Sequence, residues 1–236
     1  MRKWLIRLIL VILALAVISI GTVAYLYTFH GYREPTTAKG DVDNDRIVNG
    51  SDEDVDGDGR TNLKDVDADG DGINNRRDMV NAANSLVGTL YDPLKGGYGN
   101  IGGKMGFIVC IDVPRIAYEK AGIYFQYLLT EDFQNHPEHY DIQNGMNTPD
   151  TPYFFRRVRN VYDYADGNGY LIHKSKTPAV GDIVFYGRYH AAMVTKVYNN
   201  GTYDEVEADP KLIFVQKHIH KKWQPRDVGR ILPNED

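Results

Sequence analysis

Between residues 41 and 78 one pattern occurs three times at a spacing of 13 residues, and it limits this chain more than any other feature. The units are Asp41-x-Asp43-x-Asp45-x3-Asn49-x2-Asp52, Asp54-x-Asp56-x-Asp58-x3-Asn62-x2-Asp65 and Asp67-x-Asp69-x-Asp71-x3-Asn75-x2-Asp78. The segment holds 13 Asp/Glu against 5 Lys/Arg, so without cations its carboxylates repel and the chain is expected to be disordered. A random acidic linker would not keep one register three times. Oxygen donors at positions 1, 3, 5, 9 and 12 of a 12-residue loop, with a main-chain carbonyl at position 7, wrap a Ca2+ ion. The repeated Asp and Asn side chains are therefore the expected ligands, joined by the carbonyls of Ile47, Arg60 and Ile73. Gly59 and Gly72 stand at position 6, where the chain turns sharply; Arg46 stands there in the first loop, which is expected to bind most weakly.

Only Glu53 and Val66 separate successive loops, so no helix fits between them, as an EF-hand would need. The segment resembles the thrombospondin type 3 calcium repeats over its whole length. That resemblance implies a structural role for Ca2+, turning a floppy tether into a compact spacer.

Upstream, residues 8–27 carry no charge and follow Arg2, Lys3 and Arg7. Twenty residues at about 1.5 Å each span the roughly 30 Å hydrocarbon layer. Basic residues on the N-terminal side keep that end cytoplasmic. A cleaved signal peptide would have a shorter apolar run and a clearer small-residue exit than Thr22-Val23-Ala24. The expected order is a tail at 1–7, a single-pass anchor at 8–27, and a linker at 28–40 marked by Gly31, Pro35 and Gly40. Calcium loops at 41–78 and one domain at 79–236 follow, both on the outer face of a bacterial plasma membrane.

The last 158 residues are nearly neutral, with 18 acidic and 17 basic residues, and have no basic stripe for nucleic acid. The first half reads as helical and the second as strands, an α+β pattern. A helix is expected over 79–89, with Val80, Ala83, Leu86 and Val87 on one face, followed by a glycine-rich loop at 96–106. The chain has a single cysteine, Cys110, so no disulfide forms within it. Pro114 fits a first helical turn and Gly122 a C-terminal cap, which puts Cys110 at a helix start. A helix dipole there favours thiolate, and main-chain N–H groups can hold an oxyanion. Asp112 could cap those N–H groups, although its charge opposes the thiolate. Residues 181–197 read as a hairpin whose second strand opens at His190. Asn199-Asn200-Gly201 then turns the chain into a strand over 203–208, which brings Glu207 and Asp209 near. A carboxylate there can orient the imidazole.

A cysteine at a helix start, then Gly181-Asp-Ile-Val-Phe-Tyr186, then a strand-opening His190 and a polar residue on the next strand resembles the NlpC-like cell-wall cysteine peptidases. A narrower likeness, to a bacterial family of unknown function in that superfamily, rests on Tyr91-Asp92-Pro93, Cys110-Ile-Asp112-Val, Arg115, Ala117-Tyr118, Gly122, Glu131-Asp132, Arg156-Arg157-Val158-x-Asn160, Gly181-Asp182 and His190. The resemblance implies a papain-like fold, with helices packed on an antiparallel sheet. It assigns Cys110 as nucleophile, His190 as general base and Glu207 as third member, where relatives often have His or Asn. Tyr91, Asp112, Arg157 and Asp209 are the expected substrate or oxyanion groups. The implied activity is cleavage of amides in peptidoglycan peptides, with no cofactor for catalysis. Two other functions are a non-catalytic wall-binding module and a thiol acyltransferase. His136, His139, His218 and His220 read as surface residues, and Arg159 as a solvated face.

Overall fold

The computed structural model describes residues 2–34 and 36–232, apart from the side chains of Arg2 and Tyr98. Met1 of the expected tail, Pro35 of the expected linker and the last four residues of the expected domain lie outside the described residues.

Helix α1, Arg2–His30, takes in the expected tail as well as the uncharged run. Its large apolar side chains are exposed along its length, so it is a candidate membrane span. The segment that follows is not a free linker. Tyr32 N–H donates to Gly106 O at 2.7 Å, Thr37 Oγ1 meets Tyr124 OH at 2.7 Å, and Lys120 Nζ lies 2.8 Å from Glu34. Gly106 has φ +80°, and a Cβ there would meet Tyr32 O at 2.2 Å; the close approach of this strap requires glycine.

The three acidic loops pack on the globular part. Val55 and Ala68 are buried, and Ala68 joins the main core. Gly122, with φ +75°, ends a helix through Ile123 N–H to Tyr118 O at 2.9 Å, and a Cβ on it would lie 2.9 Å from the Ala68 carbonyl carbon. The spacer expected between anchor and domain is therefore welded to the domain instead.

Helix α2, Asn75–Ser85, begins inside the third loop, four residues before the expected start, because Asn74 caps it by accepting from Arg76 N–H at 2.9 Å. Its buried face is Met79, Ala82 and Ala83, continued by Leu86; Val80 and Val87 lie off that face. The glycine-rich loop contains the short α3, Ile101–Lys104. Then come α4, Asp112–Lys120, α5, Phe125–Asn135, and α6, Val158–Gly167.

Six strands follow: β1 Leu171–Ser175, β2 Ile183–Phe185, β3 Ala191–Val197, β4 Thr202–Glu207, β5 Gln216–Lys222 and β6 Arg226–Gly229. They form one sheet in the order β1-β6-β2-β3-β4-β5, antiparallel throughout. The fold is thus α+β, helices first and an antiparallel sheet after. Ile183, Phe185, Ala191, Met193 and Val206 face the helices and share one core with Met79, Leu86, Ile116 and Ala117. The opposite sheet face buries Val184, Val194 and Tyr203 beneath Tyr186 and Trp223.

Candidate active site

Cys110 lies in the turn that leads into α4. Asp112 N–H donates to Val109 O at 2.9 Å, and the Asp112 carboxylate folds back to accept from Val109 N–H at 2.8 Å. The sulfur is nearly buried and lies 3.8 Å from the Tyr189 carbonyl, which accepts from it. His190 directly precedes β3, and its own carbonyl accepts from Tyr186 N–H at 2.9 Å, closing the β2–β3 turn. His190 Nε2 is 2.7 Å from Glu207 Oε2, which leaves Nδ1 as the nitrogen available to Cys110, whose sulfur lies against the carbonyl of the preceding residue, Tyr189. Ala192 pairs with Glu207 across β3 and β4, which sets the carboxylate beside the strand start.

Burial would lower the His190 pKa, but its interactions with Cys110 and Glu207 outweigh that and push it up to about 10. Burial would raise Glu207, but His190 holds it below the ordinary carboxylate value. The imidazole is therefore charged near neutral pH and is held between a sulfur and a carboxylate.

Glu207 Oε1 lies 2.7 Å from His218 Nε2, an ion-pair contact off the line of a hydrogen bond. His218 was expected on a solvated edge. Pairing of β5 with β4, Glu205 opposite His218, brings it to the site instead. Asp209 also arrives: ligand atoms of His190, Glu207 and Asp209 lie within 4.8 Å of one another. Tyr91 is half-buried, and burial together with the negative neighbours Cys110, Asp92 and Asp209 holds its hydroxyl protonated. A protonated phenol next to the sulfur can donate to a developing oxyanion.

Two expected substrate groups are corrected. Asp112 is fully buried and saturated: Arg115 Nε reaches it at 2.8 Å, Arg156 Nη2 at 2.6 Å and Arg156 Nε at 3.0 Å. Burial would raise its pKa, but the two guanidiniums hold it low, and they offset the negative charge that would oppose a thiolate. It is a hub that fixes the Cys110 turn. Arg157 donates to Asn147 Oδ1 at 2.8 Å and stacks on Tyr153, away from the thiol among the described contacts. Arg156 and Arg157 precede α6 rather than lying in it. His136 and His139 stack on each other, paired with Glu138 and Asp132. His220 packs on Tyr198.

The acidic loops form a second cluster. Ligand atoms of Asp41, Asp43 and Asp45, of Asp54, Asp56 and Asp58, and of Asp67, Asp69 and Asp71 each converge within 4.8 Å. Asp52, Asp65 and Asp78, at position 12, are at most 9% exposed, and each keeps an Oδ2 with no partner; Asp54 and Asp67 keep an Oδ1. Burial, then the charges of Asp71, Asp69 and Asp67, push Asp78 up to about 6. Orphaned, mutually repelling carboxylate oxygens fit a hard divalent cation. The asparagines at position 9 do not fit as side-chain ligands. Asn62 accepts from Val55 N–H at 2.9 Å and donates to Asp52 O at 2.8 Å; Asn75 repeats this with Ala68 and Asp65, and Asn49 accepts from Val42 and donates to Thr37. They are struts: Asn62 and Asn75 tie a loop to the one before it, and Asn49 ties the first loop to Thr37. Arg46 takes φ +80° at position 6, where Gly59 and Gly72 have +91° and +86°.

No curated protein sequence matches this chain. Among solved structures, the P60 domain of an M. avium subspecies paratuberculosis antigen is similar at 16% identity and a TM-score of 0.40, covering 68% of this chain and 96% of that one. The family described as "Domain of unknown function (DUF1287)" matches residues 87–206, the stretch from the end of α2 to β4 that holds Cys110 and His190, and the chain belongs to that family.

Proposed function

We propose that this protein is a membrane-anchored cysteine hydrolase that cleaves an amide in a peptide, with Cys110 as nucleophile. The observation that carries the reading is the convergence of Cys110, His190 and Glu207: the imidazole is bonded to Glu207, and the sulfur lies against the carbonyl of Tyr189, the residue before His190. The Cys110 thiolate attacks the carbonyl carbon, and the oxyanion is stabilised by the Tyr91 hydroxyl. As the C–N bond breaks, His190 Nδ1–H passes its proton to the departing amine, leaving a thioester. Water then gives a proton to His190 while its oxygen attacks the thioester, and the carboxylic acid leaves as the thiolate reforms. Glu207 holds Nε2–H throughout, so the ring keeps its orientation while Nδ1 gives up its proton and regains one from water. Asp209 lies at the mouth of the site, where it would meet an amine or cation on the substrate.

Peptidoglycan peptides are the substrate class that the sequence resemblance implies. Mass spectrometry of muropeptides incubated with the protein and with Cys110→Ala tests this. New free amines and carboxylates only with the unsubstituted chain support the reading; equal cleavage by both ends it.

We further propose that the loops at 41–78 bind Ca2+ through the Asp side chains at positions 1, 3, 5 and 12. The orphaned oxygens at positions 1 and 12 favour it. Bound there, the ions would supply charge neutralisation, while Asn62 and Asn75 lock one loop to the next and Asn49 ties the first loop to Thr37. Calorimetry with Ca2+ tests it, and the absence of saturable uptake would remove it.

A further inference from the structure

The anchor leaves α1 straight into the neighbourhood of the thiol. His30 O accepts from Leu90 N–H at 2.7 Å, His30 Nδ1 lies 2.9 Å from Gly88 O, and the His30 ring packs on Phe214 at 4.8 Å. Leu90 precedes Tyr91, and Tyr91 bridges Ile108, two residues before Cys110. Along this path Cys110 is no more than about 20 Å from the end of α1. A second route runs the same way: Tyr91 N–H donates to Ile213 O at 2.6 Å, and Ile213 lies four residues after Asp209 of the site.

Exposed apolar side chains stand around this exit. Phe29, Val87 and Ile213 are 68%, 45% and 58% exposed, and Phe29 and Val87 line one cavity with His30, Arg33 and Glu34. Ile213 holds φ +66°, strained for a β-branched residue, and Lys95 and Lys211 are exposed on the flanking loops. The rim continues the apolar surface of α1, whose 29 residues are about 43 Å long and outreach a roughly 30 Å hydrocarbon layer.

We infer that the rim formed by Phe29, Val87 and Ile213 seats on the bilayer, and that the thiol site therefore acts on peptides covalently joined to a lipid rather than on distant wall polymer. This rests on the hydrolase reading above for its chemistry, but not for its geometry. With its rim on the bilayer, a site no more than about 20 Å from the end of α1 reaches an amide carried a short way from a lipid head group. A strap without slack denies it targets farther out.

The test is a molecular ruler. The full chain is placed in phosphatidylcholine/phosphatidylglycerol vesicles with phosphatidylethanolamine bearing an iodoacetamide on a spacer of about 20 Å, or on one three times longer. Alkylation of Cys110 is followed by mass spectrometry, with soluble iodoacetamide as control. The inference expects the short spacer to react at least as fast as the long one. Reaction with the long spacer and soluble reagent only overturns it and leaves the hydrolase reading intact. If neither lipid nor soluble reagent reacts, the hydrolase reading falls, and a nitroxide at Ile213→Cys in the Cys110→Ala chain decides the seat. Oxygen-dominated relaxation of that label upholds bilayer contact; relaxation dominated by a water-soluble nickel chelate overturns it.

Discussion

The acidic loops and the thiol site are built in opposite ways. In the loops the carboxylates accept from N–H groups a few residues away: Gly59 N–H donates to Asp54, Arg60 N–H to Asp58, and Asp54 N–H to Asp52. Their geometry is local, and on the calcium proposal the neutralising charge comes from outside. In the thiol site the charges neutralise one another, but the groups come from α4, the start of β3, β4 and β5. A local device depends on solution conditions, whereas a long-range one depends on the whole fold.

The comparison breaks first at Cys110. Cys110→Ala is expected to lower turnover by at least about 10⁴-fold while calcium uptake by calorimetry is unchanged. A parallel loss of uptake would show that the regions are not separable in this sense. Glu207→Gln keeps the shape but not the charge, and turnover should fall roughly 10²–10⁴-fold in a steady-state assay.

A stability prediction comes next. Arg156 is 2% exposed at its side chain and lies between Asp112 and Asp92. Arg156→Met takes the buried guanidinium from Asp92 and leaves Asp112 with Arg115 alone, and it should cost about 3–5 kcal/mol in urea unfolding. A cost below about 1 kcal/mol would deny the hub its role.

Losing one calcium site should be gentler. A ligand at 100 times its dissociation constant adds about 2.7 kcal/mol per site, so disabling one loop should take several degrees off the rise in melting temperature that Ca2+ gives. Asp67→Asn should remove more of this response than Asp41→Asn, because the third loop runs into α2 and buries Ala68 in the core. Equal responses would return the loops to the status of a detached spacer.

Much of this organisation was legible beforehand, and the misses have physical causes. The 13-residue period, the helix after Cys110 and the hairpin before His190 are local patterns, and they stand as expected. Asn62 looked like a ligand because spacing reports position, not what a side chain does once buried. Asp112 looked like a substrate group because Arg156, which claims it, lies 44 residues away. His218 was missed because the register of β5 on β4 has no local signal. The strap at 31–40 read as a linker because its contacts are to Gly106, Glu119 and Tyr124, all remote in the chain.

The sign of the pH effect follows from the site. His190 rises from 6.5 to about 10, so its stabilisation is complete below about 6.5 and is lost as pH climbs through 10. Glu207 is lowered from 4.5, so its share is present above that value and is lost in acid. The most direct test is an NMR titration of the His190 ring nitrogens in the protein and in Cys110→Ala. The account expects a proton held past pH 8 and released near 10 in the first, and release at clearly lower pH in the second. Release near 6.5 in both would contradict the pairing of sulfur and imidazole.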